Sequence, residues 1–325
     1  MYLTHPAIST ALFRIGDFGI RWYSLMYIFG FLFSYWWTKR ECAKNRISFA
    51  KDNKLSTNNE FLSDFSFYIM LGVLLGGRLG YVLFYNFEYY FSENPIAIFK
   101  VWEGGMSFHG AFIGSYIGAF AALKIRHSIL KPFSLLELSD IVLVSVPMGL
   151  AFGRFGNFIN GELYGRPTTM PWGMVFPRRP ELGHLGATVL PLEKAQPFID
   201  AVQLQLIPNI TEYTINNATY IQVPRHPSQL YHILLEGLFT LTVQMILYYK
   251  IPQSRYKGFL TATFLILYGI SRIITEFFRE PDIQIGFIAG NWLTVGMTLT
   301  FPMVIIGIIL LIYTLKNKKP NIIRI

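Results

Sequence analysis

The sequence predicts an all-α polytopic membrane protein, with seven transmembrane helices and a small extracytoplasmic α/β head inserted between helices 4 and 5. Of the 325 residues, 52% are hydrophobic and only 14% are charged, whereas soluble domains carry about 25% charged residues. Apolar segments of membrane-spanning length recur along the chain. Between the fourth and fifth of them lies a long insertion rich in proline. These observations exclude an ordinary soluble domain.

Seven apolar segments are long enough, or nearly so, to cross a hydrocarbon core of about 30 Å. We place them at residues 19–37, 64–85, 106–124, 134–153, 228–249, 258–278 and 292–315. Helices 1–4 belong to residues 1–166 and helices 5–7 to residues 225–325, and we expect these two parts to form one membrane domain.

Basic residues are concentrated in alternate connections. Sixteen lysines and arginines follow the first, third, fifth and seventh segments, whereas the short loops on the other side hold only Lys100 and Arg279. The positive-inside rule therefore predicts an external N-terminus and a cytoplasmic C-terminus. The net charge of +9 is dispersed between apolar segments, so we expect no nucleic-acid partner. We also expect no removable signal peptide, because the first residues lack a basic start and a small-residue cleavage site.

The connection between helices 4 and 5, residues 167–224, contains eight prolines and mixed polar residues. Within it, TEYTINNATYIQV alternates in a strand-like way around an Asn-Asn pair, which is typical of a hairpin. We therefore predict an extracytoplasmic head that is partly β. The single cysteine, Cys42, lies in the basic segment after the first helix and excludes an intramolecular disulfide or a multi-cysteine metal site.

Polar and ionisable side chains gather at one end of six helices, the predicted outer end. They are Tyr23 on the first helix, Arg78 on the second, His109 on the third, Arg154, Asn157, Asn160, Glu162 and Arg166 at the end of the fourth, His226, Ser228 and Gln229 at the start of the fifth, and Arg272, Glu276 and Arg279 at the end of the sixth. An unpaired charge at membrane depth costs at least about 2.5–3.5 kcal/mol. Such residues are tolerated where they pair, line a wet cavity or hold a ligand. The function is therefore predicted to face outward.

The sixth helix carries Tyr268, Arg272, Glu276 and Arg279 at spacings of three and four residues. These positions share one face of a helix. Two guanidiniums against one carboxylate leave an excess of positive charge, which favours an anionic ligand.

The stretch GRFGNFINGELYGR is the densest polar segment. Its glycines permit close backbone approach, and its Asn and Arg side chains supply donors that suit a phosphate or an ester carbonyl. The alternative is a polar turn that caps the fourth helix and pairs with its own neighbours. In that interpretation Glu162 serves only to orient an arginine.

His109 also has two interpretations. Facing an arginine-rich cavity, it is a candidate general base; otherwise it is a helix-end histidine hydrogen-bonded to a loop. Gly110, Gly114 and Gly118, spaced by four residues, predict a close contact between two helices. Glu137 and Asp140 lie toward the other end of the fourth helix, and we interpret them as structural, pairing with a basic loop or capping a helix.

Several catalytic motifs are missing from the sequence. It contains no H-E-x-x-H zinc helix, no G-x-S-x-G elbow, no Walker loop and no intramembrane aspartate pair. We expect neither a metal nor a cofactor. A reaction that uses Arg, His, Asn and Tyr side chains is the enzymatic option that remains.

Five motifs occur in one order along the chain, namely GGRLGYVLFYN, EGGMSFHG, GRFGNFINGELYGR, RHPSQLY and YGxxRxxxEFxREPD. With them the chain resembles the bacterial prolipoprotein diacylglyceryl transferases over nearly its whole length. The resemblance implies seven helices in the bacterial inner membrane, with lipid entry from the side. In that membrane the external N-terminus predicted by the positive-inside rule would be periplasmic. It implies transfer of the diacylglyceryl group from phosphatidylglycerol to the thiol of a lipobox cysteine, with release of glycerol phosphate.

The motifs assign roles to individual residues. The resemblance implies that the catalytic residues are His109, Arg272, Arg154 and Tyr23, and that Arg154, Asn157, Glu162, Tyr268, Glu276 and Arg279 bind substrate. To these predicted substrate-binding residues we add Arg78, Asn160 and Gln229 from the polar residues at the same helix ends. The partners it implies are phosphatidylglycerol, the lipobox peptides of prolipoproteins and the bilayer. The chain departs from the family at Ser24, where glycine is usual, and at His232, where an acid is frequent.

The chemistry fits this assignment. Thiol attack on the glycerol carbon expels a phosphate monoester, and arginines such as Arg154 and Arg272 would hold it as negative charge develops. The nucleophile must be a thiolate. One hypothesis is that His109 takes the thiol proton directly or through water. The other is that Arg272 alone lowers the pKa of the thiol while His109 positions the lipid.

The alternative function is a transporter of anionic lipid headgroups or other anions. It also explains the arginines, but transporters often contain internal repeats and broken helices at the midplane. The chain shows no repeat, and its polar residues lie at one face. An intramembrane protease is disfavoured by the missing nucleophile and metal motifs.

Overall fold

Helices make up most of the fold. The computed structural model describes residues 3–6, 8–15, 18–84, 87–100, 105–177, 189–191, 196–203, 212–215, 218–280, 287–290 and 292–325. The helices are α1 (Trp22–Ala43), α2 (Leu55–Phe84), α3 (Phe108–Arg126), α4 (Leu135–Asn160), α5 (Gln196–Gln203), α6 (Ser228–Lys250), α7 (Phe259–Glu276) and α8 (Val295–Asn317).

Five of these helices, α2, α4, α6, α7 and α8, are long and apolar enough to cross a membrane. This confirms a polytopic membrane protein. Helices α1 and α3 occupy predicted positions but do not belong to these five, so seven spans stay a prediction. Three ends differ by six residues or more from the sequence-based bounds, and one of them is the end of α4, which continues to Asn160. Helix α2 begins at Leu55, next to a turn in which Asp52 accepts hydrogen bonds from the Lys54 N–H and the Thr57 hydroxyl. Helix α1 continues to Ala43 and includes Cys42, which is buried.

The strands are short. Strand β1 (Leu3–Thr4) pairs in parallel with β4 (Met174–Val175), and β2 (Ala11–Ile15) pairs antiparallel with β3 (Phe18–Arg21), which leads into α1. A three-stranded sheet has the order β5 (Val189–Pro191), β7 (Ala218–Gln222), β6 (Glu212–Ile215).

Strands β6 and β7 are antiparallel, with Ile215 opposite Ala218. The hairpin predicted in TEYTINNATYIQV is therefore confirmed, although Asn216 and Asn217 of its turn lie outside the described residues. A separate α/β head, with bounds at 167 and 224, stays a prediction.

Glycines set the distance between α2 and α3. A Cβ atom placed on Gly72 or Gly114 would overlap the backbone carbonyl of the other residue, and Gly76 and Gly110 exclude each other's Cβ in the same way. The contact predicted for the glycines of α3 is confirmed. It brings the second half of α2 beside the start of α3.

The largest apolar cluster lies at the end of the helices opposite Tyr23, Arg154 and Glu276. Trp37, Phe61, Ile141, Leu260 and Ile323 are members of it, each no more than 1% exposed. Because lipid tails are as apolar as these side chains, packing of this kind stabilises membrane helices mainly through van der Waals contact.

Two acidic residues organise this end of the molecule. The Asp140 carboxylate accepts hydrogen bonds from the backbone N–H groups of Gly258 and Thr261, at 2.6 and 2.8 Å, and so caps the start of α7. Glu137 forms a capping box with Ser134 and lies 3.4 Å from Lys257. The structural interpretation of both residues is confirmed.

Candidate functional site

Three helices, α4, α6 and α7, bring ionisable side chains together. Helix α6 is π-helical from Ile233 to Phe239, a local widening that is frequent at functional sites. Within this segment, a Cβ atom on Gly237 would lie 2.6 Å from Cβ of Ala151 on α4. The two helices therefore approach closely, which places Glu236 beside the end of α4.

Glu236 is the central carboxylate of the site, and its side chain is 1% exposed. Its Oε1 lies 2.7 Å from His232 Nδ1 and 3.4 Å from Arg272 Nη1, and it accepts a hydrogen bond from the Thr275 hydroxyl at 3.2 Å. Its Oε2 lies 3.7 Å from Arg154 Nε. One buried carboxylate thus joins arginines from two other helices.

The second carboxylate of the site belongs to Glu276, which lies one turn after Arg272 on α7. Its Oε2 is 2.8 Å from Arg272 Nη2, and its Oε1 is 3.7 Å from Arg279 Nη1. The Thr294 hydroxyl, which caps α8, donates to Oε1 at 3.0 Å. Gly296 leaves room for this carboxylate, since a Cβ there would lie 2.8 Å from Oε1. Arg272 and Glu276 pair on one face of α7 as predicted, whereas Arg279 follows the end of that helix at Glu276. The N-terminus of α8 adds favourable positive potential beside Glu276.

The cluster has an excess of positive charge. Among the described residues, the guanidiniums of Arg154, Arg272 and Arg279 lie within 3.7 Å of the two carboxylates of Glu236 and Glu276, which gives three positive groups and two negative ones. The arginine side chains are 22%, 10% and 14% exposed, whereas the glutamates are 1% and 3% exposed. The positive groups are therefore the accessible ones, which favours an anionic ligand.

Arg154 is the most available of the three arginines. Within the described part of the chain it donates no hydrogen bond, and its one ion pair is the 3.7 Å approach to Glu236. Its terminal nitrogens are thus free to bind oxygen atoms of a ligand in the bidentate manner that suits phosphate.

Tyrosines border the same region. Tyr268 lies within electrostatic range of Arg154, Arg272, Glu236 and Glu276. The hydroxyl of Tyr23 is 2.9 Å from that of Tyr27, which in turn lies within range of Arg154. Gly156 on α4 permits this packing, because a Cβ there would lie 2.7 Å from the Tyr23 ring.

The polar loop after α4 pairs mainly with itself and with α6. Asn157 and Asn160 both donate to Glu162 Oε1, at 2.9 and 3.0 Å. Gly161 ends the helix with a φ of 64°, and Leu163 follows with a φ of 56°, a conformation that is strained for a branched side chain. The geometry of these amides therefore favours the alternative interpretation of this stretch, in which it caps α4 and pairs with its own neighbours.

Helix α6 holds the strained loop in place. Gln229 donates to the carbonyl of Glu162 at 2.7 Å, and Ser228 donates to that of Leu163 at 2.8 Å. Gln229, predicted to bind substrate, is 1% exposed, so its amide serves as an anchor of the loop.

Two further residues were predicted to belong to the site, Arg78 and His109. Arg78 is buried and donates to the carbonyls of Ile98 at 2.8 Å and Gly105 at 3.2 Å, and also to that of Ala97. It therefore anchors the segment between α2 and α3. For His109 the structure gives its place in the first turn of α3, whereas its side chain lies outside the description.

A further polar layer covers the site on the predicted outer side. The Trp172 indole donates to the Tyr231 hydroxyl at 2.9 Å, and this hydroxyl lies 3.0 Å from His226 Nδ1. Burial, together with the Arg166 guanidinium, lowers the pKa of His226. Arg225 pairs with Glu280 at 3.0 Å. The first of these contacts joins the loop after α4 to α6, and the Arg225–Glu280 pair joins the segment before α6 to the segment after α7.

Sequence reasoning missed Glu236 and gave His232 no role. A signal was present, since an acid within the apolar stretch ILLEGLF is costly unless it is paired. The spacing of four residues between His232 and Glu236 also predicts contact on a helix. Within the described residues, no group of three His, Cys, Asp or Glu side chains is arranged to hold a metal ion.

Comparison with known proteins gives a consistent result. The profile of the prolipoprotein diacylglyceryl transferase family matches residues 10–313. The phosphatidylglycerol–prolipoprotein diacylglyceryl transferases of Brucella canis and Brucella ovis are each 38% identical to this chain over 306 residues, which cover 94% of this chain and 92% of theirs. The chain therefore belongs to the prolipoprotein diacylglyceryl transferase family.

Proposed function

We propose that the protein transfers the diacylglyceryl group of phosphatidylglycerol to the thiol of the lipobox cysteine of prolipoproteins, forming a thioether and releasing glycerol phosphate. The names of the Brucella relatives describe this activity, and the match covers 94% of the chain. The observation that carries the proposal is that Glu236 joins Arg154 and Arg272 in a cluster with excess positive charge.

The reaction needs a cationic site. The sulfur forms a bond to the glycerol carbon, and the bond from that carbon to the phosphoester oxygen breaks. Negative charge then grows on the leaving phosphate. Guanidiniums in a region of low dielectric stabilise that charge more strongly in the transition state than in the bound lipid. Arg154, with free donors, and Arg272, fixed between two carboxylates, are the residues suited to this role.

The remaining predicted residues take supporting roles in the proposal. Tyr23 and Tyr268 border the phosphate and the lipid, and Arg279 adds positive charge at the entrance. Asn157, Asn160 and Glu162 form the rim of the site, and Arg78 and Gln229 support substrate binding by fixing the segments beside it.

His109 has two candidate roles, as the acceptor of the thiol proton or as a residue that positions the lipid. Replacing it by glutamine separates them. As the proton acceptor it would set the pH dependence of turnover, so His109→Gln would lower the rate and change the pH profile. As a positioning residue it would raise KM for the lipid and leave the profile unchanged.

The site is proposed to face the periplasm of a bacterial inner membrane, with the C-terminus in the cytoplasm. The positive-inside pattern supports this orientation. The insertion 167–224 would then form a periplasmic head beside the peptide entrance. The partners would be the bilayer, phosphatidylglycerol and lipobox peptides, with no role for nucleic acid.

The test mixes purified protein, phosphatidylglycerol and a lipobox peptide, and measures the peptide mass. The expected result is a gain of one diacylglyceryl group, absent with a Cys→Ser peptide and abolished by Arg272→Ala. Arg126→Lys, which changes an arginine at the opposite end of the molecule, serves as the matched control. An unmodified peptide with folded protein would refute the proposal and would direct attention to binding and transport of anionic headgroups.

A further inference from the structure

His232 has one ring nitrogen without a partner. The residue is 1% exposed, and Nε2 has no hydrogen-bond partner within the described part of the chain. Buried polar atoms are almost always paired, and those that are not require an explanation, a catalytic role being one.

The other ring nitrogen fixes the tautomer. His232 Nδ1 lies 2.7 Å from Glu236 Oε1, and an ionised carboxylate can only accept. Nδ1 therefore carries the hydrogen and donates it to Glu236. Arg272 Nη1, 3.4 Å from the same nitrogen, can only donate and has Glu236 Oε1 as its acceptor at 3.4 Å. In the neutral ring, Nε2 must then carry a lone pair that can accept a proton.

The surroundings of the ring suit proton transfer. The charged neighbours of the ring are Glu236 on its own helix, Arg154 on α4 and Arg272 on α7. Tyr268, also on α7, lies near Glu236. A carboxylate bonded to one nitrogen orients a histidine base and stabilises the imidazolium that forms when the other nitrogen is protonated. The two arginines favour the thiolate that is left behind.

We propose that His232 accepts the thiol proton of the lipobox cysteine at Nε2, directly or through one water, with Glu236 as its orienting carboxylate. This rests on the proposed function. The proton moves from sulfur to Nε2, the sulfur–carbon bond forms, and the carbon–oxygen bond of the phosphoester breaks. The proton then passes to the released phosphate monoester or to water. In this proposal His109 does not accept the proton and serves to position the lipid.

The experiment measures kcat/KM for a lipobox peptide between pH 5.5 and 9 in wild type, His232→Gln and His232→Glu. Removing a general base costs about 10²–10⁴-fold. We expect that loss for His232→Gln at pH 6.5–7. The loss in kcat/KM should become smaller toward pH 8.5, because at that pH a large fraction of the peptide thiol is already ionised and needs no base. His232→Glu should retain more activity than His232→Gln. The fall of its kcat/KM on the acid side of the profile (the acid limb) should occur at lower pH than in wild type, because a carboxyl group ordinarily has a lower pKa than an imidazole.

The controls separate the possible failures. His127→Gln changes an exposed histidine at the opposite end and should keep the wild-type profile. A loss that is constant from pH 5.5 to 9 in both His232 variants, or wild-type rates in His232→Gln, would overturn the inference. If His232→Gln is not recovered as folded protein, His232→Glu alone decides by the position of its acid limb. A wild-type protein that leaves the peptide unmodified would refute the proposed function itself.

Discussion

Arg154 and Arg272 project from different helices and approach the same carboxylate, with Arg154 Nε at 3.7 Å and Arg272 Nη1 at 3.4 Å from Glu236. Without an anion between them, two guanidiniums in a partly buried site would repel each other. Glu236 offsets that repulsion before any ligand arrives. A phosphate bound on their accessible side would then meet a pair of cations already in place, which lowers the cost of ordering them.

The first prediction concerns Glu236→Gln. Because the amide keeps the shape but loses the charge, Arg154 and Arg272 would no longer be held together. We expect turnover to fall at least about 100-fold, within the range for loss of one preorganised electrostatic group. Breaking a buried ion pair by removing one partner also costs about 3–5 kcal/mol of stability. Peptide mass gain and Tm in detergent measure the two effects.

Glu60→Gln is the matched control for that change. Glu60 pairs with Arg126 at 3.2 Å, but its side chain is 59% exposed, and exposed pairs contribute about 0–1 kcal/mol. Equal losses of stability in both variants would contradict the role given to Glu236.

A second prediction contrasts the two arginines. Arg272 bridges Glu236 and Glu276, whereas Arg154 makes one long ion pair. Lysine presents a single point charge and cannot bridge two carboxylates. Arg272→Lys should therefore lower both Tm and turnover. Arg154→Lys should reduce turnover about 10–100-fold, in line with the loss of a bidentate phosphate contact, and leave stability within about 0.5 kcal/mol. Similar Tm losses in both variants would argue against this division of roles.

Some of this site could be predicted from sequence because it depends on a single helix. Arg272 and Glu276 are four residues apart, so their ion pair follows from helix geometry. Contacts between helices do not follow in this way. Glu236 meets Arg154 only because α4 and α6 pack closely at Gly237 and Ala151, and because α6 widens there.

Side-chain type also cannot tell a ligand contact from an anchor. Arg78 and Gln229 belong to the same predicted outer layer as Arg154, and the sequence predicts that each binds substrate. Their donors bond to backbone carbonyls instead. Whether a carbonyl is left unpaired by its own segment depends on the path of the loop, which the residue pattern does not specify.

The third prediction concerns the opposite end of the molecule. The Asp140 carboxylate accepts three hydrogen bonds at the start of α7, from the N–H groups of Gly258 and Thr261 and from the Thr261 hydroxyl. In Asp140→Asn one carboxylate oxygen is replaced by an amide nitrogen, which cannot accept a hydrogen bond, so at least one of the three is lost. We expect a loss of about 1–3 kcal/mol of stability with kcat of the folded protein unchanged, because Asp140 belongs to the far end of α4. Tm and peptide turnover measured on the same preparation test this. A kcat that falls in folded protein would show that the two ends are coupled.

The last prediction uses two glycines that differ only in their surroundings. In Gly114→Ala the new methyl group would overlap the carbonyl of Gly72, and backbone cannot move aside as a flexible side chain can. We expect α2 and α3 to be forced apart, at a cost of about 1–3 kcal/mol or more. Gly153 on α4 has nothing within 4 Å of the same atom, so Gly153→Ala should be neutral or stabilise the helix by up to about 1 kcal/mol. Thermal unfolding in detergent measures both. If Gly114→Ala matched Gly153→Ala in Tm, α2 and α3 would have to pack more loosely than the glycine contacts require, and the position of the start of α3 against α2 would need another cause.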